Sequence, residues 1–103
     1  MIVESLTQIT ADELLLKVKD GINLKGNDYQ DDTIRVWIDT VKQDLLFIGV
    51  SEDVLNSTLA VGCITRGVDD HWLSHRDEYS DMFYTLAERL RSTTVRGEDN
   101  GTV

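Results

Sequence analysis

His71 and His75 stand four residues apart, and Glu78 follows three residues later. On one unbroken helix the three share a face, and two imidazoles with a carboxylate could take a divalent metal. The stretch from Leu73 to Glu78 is so charged, however, that it reads as a turn, which would part these groups. Cys63 is the single thiol. Its run is apolar with small neighbours, and nothing nearby would lower a thiol pKa, so it reads as a buried small hydrophobe rather than a nucleophile. Asp69 and Asp70 could hold an ion, but two like charges at a helix end more often take a cation such as Arg66. There is no Gly-x-x-x-x-Gly-Lys loop, no Gly-x-Ser-x-Gly and no His-Glu-x-x-His. The expectation is a protein without enzymatic activity, cofactor or bound metal.

The elements that would position these residues are helical. Thr10 and Glu13 have the spacing of a capping box, with Ile9 and Leu14 as its apolar staple, and start a helix at 11–20. Lys17 and Lys19 fall in its last turn. Gly21 is expected to end it in the left-handed conformation, with Ile22 packing back on Leu16. Asn23 to Asp28 reads as a loop. A second helix, 29–48, follows from Ile34, Ile38, Val41, Leu45 and Ile48, which step along one face, widened by Trp37. Asp31, Arg35 and Asp39 lie opposite at helical spacing, and Gly49 ends the helix. Ser51 caps a third helix, 54–72, apolar around most of its circumference and with a kink expected near Asn56 and Ser57. Its small residues, Ala60, Gly62, Cys63 and Gly67, would admit a close neighbour. A fourth helix, 81–91, capped by Ser80, carries Tyr79, Met82, Phe83, Leu86 and Leu90 at helical spacing.

These stripes predict an all-α fold: a small bundle of about four helices, a short N-terminal leader and an extended C-terminal tail. The third helix is central. Trp37, Leu45, Leu59, Ile64, Val68, Met82, Phe83 and Leu86 are the expected core. Residues 1–92 form the helical domain, and residues 93–103, polar and without periodicity, a flexible arm.

The 103 residues suit one domain, and 41% are apolar, enough for a core. Nineteen acidic against ten basic residues give a net charge of −9, which disfavours binding DNA by neutralising its backbone. No stretch approaches the roughly 18–20 apolar residues of a membrane span. The opening residues lack the pattern of a signal peptide, and a lone cysteine permits no internal disulfide, so an intracellular, reduced protein is expected.

The run Ala60-Val61-Gly62-Cys63-Ile64-Thr65-Arg66-Gly67-Val68-Asp69-Asp70-His71-Trp72 is distinctive. Through Ala60, Gly62, Arg66-Gly67-Val68, Asp70 and Trp72 it resembles the head–tail connector (head-completion or adaptor) proteins of tailed bacteriophages. The likeness continues more weakly through Tyr79-Ser80 and the last helix, and it covers most of the chain loosely. His71 and His75 lie outside the pattern. The resemblance implies a ring of about a dozen copies. Such a ring would sit beneath the portal protein at the neck of the virion, made in the host bacterial cytoplasm. It would extend the DNA channel without binding DNA specifically, and present a platform to a tail-side stopper or tail-completion protein.

Within that reading, Arg35, Asp39, Arg66 and Asp69 are the expected contacts between subunits, being charged residues on faces the core does not use. The arm from about Arg89 onward, with Arg91, Val95 and Arg96, is expected to engage the portal. Competing readings are a small helix-turn-helix regulator, a metal or cysteine enzyme, and an acidic adaptor or DNA mimic. The regulator requires several exposed cations on one helix, whereas the third helix offers only Arg66.

Overall fold

The computed structural model describes residues 2–95. Five α-helices carry the fold: α1 (Ala11–Gly21), α2 (Asp31–Ile48), α3 (Glu52–Leu55), α4 (Val61–Val68) and α5 (Asp81–Arg91). A 3-10 turn, Thr58–Ala60, leads into α4, and a wider π-type turn, Asp69–Leu73, continues it. Two short strands, β1 (Ile2–Val3) and β2 (Thr94–Val95), pair in parallel, Ile2 opposite Thr94 and Val3 opposite Val95. The architecture is all-α with this small tie between its ends.

Local chemistry sets the helix boundaries. At α1 the capping box closes both ways: the Glu13 amide donates to Thr10 Oγ1 at 3.1 Å, and the Thr10 amide to Glu13 Oε1 at 3.0 Å. Leu14, Leu15 and Val18 point inward. At the end of α2, Gly49 adopts φ +117°, and its amide donates back to the Leu45 carbonyl at 3.1 Å. Ser51 and Ser80 accept from the amides of Val54 and Phe83, capping α3 and α5.

The α4 helix packs against α1, α2 and α5, as the near-continuous apolar run in its sequence requires. Gly67 makes this possible, since a Cβ there would lie 2.8 Å from Val41 and 2.9 Å from Phe83. Leu45, Ile64, Val68 and Phe83 are all buried, with Ile34, Val41 and Val54 among them. Each such side chain contributes roughly 1.5–3 kcal/mol against exposure.

Two expected core positions need correction, Met82 and Leu59, and two others, Trp37 and Leu86, pack against the core from its edge. Met82 is 57% exposed and Leu59 38% exposed, while Trp37 and Leu86 are only half-buried. The inward arc of α5 is Phe83, Ala87 and Leu90; Met82 lies about 100° off Phe83 on the helix, and small Ala87 takes the central place. Leu59 falls in the 3-10 turn, out of phase with α4, and there Ala60 turns inward instead. The expected 54–72 helix is thus the end of α3, a break at Asn56–Ser57, and then a 3-10 turn, α4 and a π-type turn in succession.

Gly21 also departs from expectation. It stays within α1, and the left-handed residue is Asn23, φ +63°. The reason for glycine at position 21 is a close crossing: a Cβ there would meet Thr65 Cγ2 at 2.6 Å. Ile22 is buried, whereas Leu16 is 63% exposed, so the two do not pack together. The second helix starts at Asp31 rather than at 29. The leader is fastened, with the Ile9 amide donating to Asn56 O and the Thr58 amide to Thr7 O. Thr94 and Val95 are likewise paired, so the segment from 93 is not free along its whole length.

Candidate functional site

The distinctive run builds a polar junction at the end of α4. The Asp70 carboxylate is buried. Its Oδ2 accepts from the Ser80 amide at 2.9 Å and from the Ser80 hydroxyl at 2.7 Å. Its Oδ1 lies 3.2 Å from the Arg66 guanidinium, which also pairs with Asp69. Because Ser80 caps α5, Asp70 orients the cap, and Arg66 neutralises the charge that orients it. The π-type turn swings the chain so that the Asp70 carbonyl also receives the Arg76 amide, at 2.9 Å. Arg66, Gly67 and Asp70 therefore act together as a clamp between α4 and α5.

An aromatic column rises beside this junction. His71 stacks over Trp37 with ring centroids 5.9 Å apart and meets Tyr79 edge-on at 4.2 Å. Tyr79 stacks on Phe83 at 3.8 Å, and its hydroxyl donates to Asp44 of α2. Burial first, and then that hydrogen bond, pushes the phenol well above its ordinary range. The column floors an open cleft of about 380 Å³ bordered by Asp44, Phe47, Asp77, Glu78 and Tyr84. Phe47 is 94% exposed at its edge.

Of the two imidazoles, His71 is held by the column. His71 Nδ1 lies 2.9 Å from the Arg76 carbonyl, which can only accept, so this nitrogen carries the proton. His75 follows the end of the helical turn at φ +51° and is exposed, so His71, His75 and Glu78 share no helix face. Among the described residues, no group of three or more His, Cys, Asp or Glu is placed to hold a metal. Cys63 is buried, its thiol near the Phe83 carbonyl and its pKa pushed up to about 12 by desolvation.

The charged residues expected between subunits divide. Arg35 pairs with Asp12 at 2.8 Å, and Arg66 and Asp69 with each other, all within one chain. Asp39 is exposed and makes no ion pair among the described residues. Of the basic C-terminal residues, Arg91 pairs with Glu88, while the exposed Arg89 guanidinium has no such partner. The expectation for Arg96 lies outside the described residues.

Sequence reasoning placed Lys19 in the last turn of α1 but missed its burial. Its side chain is buried, with Nζ 2.7 Å from Asp28 and 2.8 Å from Asp31, and these carboxylates raise its pKa. The pairing ties the loop, through Asp28, and the start of α2, through Asp31, to α1. The sequence signal was a lysine following Val18 in the same helix, one step from the buried face.

No described helix is long and apolar enough to cross a membrane. No protein-family model, curated protein or solved structure matches the chain.

Proposed function

We propose that this chain is a structural head–tail connector of a tailed bacteriophage, without catalytic activity. The observation that carries the reading is the run Ala60–Trp72, which resembles the connector signature. Its members Arg66, Gly67 and Asp70 join α4 to α5, a scaffolding use that suits an assembly part. In this reading, copies form a ring beneath the portal protein, extend the DNA channel and receive a tail-side stopper or completion protein. The net charge of −9 suits a conduit that must not retain phosphates. Asp39 and the salt-bridged rims around Arg35 and Arg66 face neighbouring subunits, and the segment from Arg89 through Arg96 meets the portal.

A second reading, a small acidic adaptor, is favoured by the same charge. Immobilised portal rings separate the two. The connector reading expects the full chain to bind portal rings and to leave duplex DNA unshifted in a gel. Failure to bind portal rings of the cognate phage would count against it, as would a shift of DNA at physiological salt.

A further inference from the structure

Two faces on either side of α5 lack partners within the chain and complement each other. On one side, Leu59, Gly62, Cys63, Leu86, Arg89 and Leu90 line an apolar groove of about 230 Å³. Gly62 lies within α4, yet a Cβ built there meets nothing within 4 Å. Glycine weakens a helix relative to alanine, and here no neighbour in the chain requires it; its effect is to leave the groove open. Arg89 stands exposed at the groove and makes no ion pair among the described residues.

On the other side, Phe47 projects from α2 with 94% of its surface exposed. It borders the same cleft as the carboxylates Asp44, Asp77 and Glu78, of which Asp44 already accepts from the Tyr79 hydroxyl. Tyr84 lines this cleft and Leu86 lines the groove. Two residues apart on α5, they point roughly 200° from each other, with Phe83 and Ala87 buried between their arcs. A knob and a groove on opposite flanks cannot meet within one chain, but they can meet between copies.

We propose that copies of this chain associate head to tail, with Phe47 of one copy seated in the Leu59–Gly62–Leu86 groove of the next. Arg89 is then brought toward the cleft lined by Asp77 and Glu78 beside the incoming Phe47, so apolar shape and charge match together. Such a contact is heterologous, and it generates a closed ring or an open filament according to the rotation between copies. It forms in solution from the chain alone. The inference rests on the connector reading and deepens it. It adds an apolar subunit contact to the charged ones around Asp39, Arg35 and Arg66 and takes Arg89 from the portal to that contact, but it requires self-association only and not a portal.

Directed cross-linking tests it. In full-length protein carrying Cys63→Ala, Phe47→Cys and Leu59→Cys are made separately, mixed in equal amounts and oxidised. The mixture should give a disulfide-linked heterodimer at least tenfold faster than either variant links to itself. Light scattering of the unmodified chain should show a mass that grows with concentration, and Phe47→Asp should return it to monomer while leaving the circular-dichroism spectrum unchanged. A chain that stays monomeric at its highest attainable concentration overturns the proposal. So does Phe47→Cys that links to itself as fast as to Leu59→Cys, which would mark a two-fold contact. Self-association through this contact without affinity for portal rings would keep the inference and remove the connector reading. Portal binding by a strict monomer would do the reverse.

Discussion

Asp70 is the residue on which the junction between α4 and α5 depends. Asp70→Ala leaves Arg66 without its inner partner and Ser80 without its orienting acceptor, and breaking a buried pair in this way costs roughly 3 kcal/mol. Asp69→Ala removes a half-exposed partner only and should cost under about 1 kcal/mol; urea unfolding of the two variants measures the difference. Arg66-x-x-x-Asp70 was legible as a motif, yet its use was not, because Ser80 lies ten residues beyond Asp70 and only the fold brings them together. The same holds for Lys19, whose carboxylate partners, Asp28 in the loop and Asp31 at the start of α2, are brought to it only by the fold. Cys63 supplies a pH signature. Its folded pKa of about 12 lies above the ordinary 9.0, so the unfolded chain loses this proton first as pH rises. Stability should therefore be unaffected by this group below pH 9 and fall through the interval from 9 to 12, by roughly 1 kcal/mol per pH unit. Lys19, also raised, adds a loss in the same direction once pH exceeds its ordinary value of 10.5. Cys63→Ala should flatten the lower part of that limb in denaturant titrations at stepped pH; an unchanged slope would show that the thiol is not desolvated.

The helices themselves were largely written in the sequence, because caps and apolar period act over a few residues. Thr10, Ser51 and Ser80 each cap as their spacing demands, and Gly49 ends α2 as a left-handed glycine. What local pattern could not supply was phase across a break. Once the chain turns at Asn56 and Ser57, Leu59 leaves the core while Ala60 stays in it, and no periodic stripe carries through the 3-10 turn. Glycines were equally ambiguous, since close packing and open space look alike in sequence. The structure separates them, and the separation is testable by thermal or chemical unfolding. Gly67→Ala forces a methyl group against Val41 and Phe83 and should destabilise by about 1–3 kcal/mol. Gly62→Ala meets nothing and should be neutral or stabilising by up to about 1 kcal/mol. Equal effects at the two positions would contradict the packing of α4 between α2 and α5.

At the scale of the whole molecule, a net charge of −9 and exposed apolar side chains such as Phe47 suit a part that finishes its surface by assembly. The proposed connector role rests on the Ala60–Trp72 run, and the segment proposed to meet the portal includes Arg96, outside the described residues. Because Thr94 and Val95 pair with β1, truncation after Val95 retains that tie and should leave unfolding within about 0.5 kcal/mol of the full chain, while weakening attachment to portal rings at least tenfold. Full attachment by the truncated chain would confine the portal contact to residues before position 96. The most direct measurement of the central claim is electron cryo-microscopy of DNA-filled heads that carry the cognate portal but lack their connector, incubated with the purified full-length chain. The account predicts a new ring of density beneath the portal, on the channel axis, into which the α1–α5 domain fits in repeated copies. Heads that bind no added density beneath the portal, under conditions where the chain is folded, would contradict it.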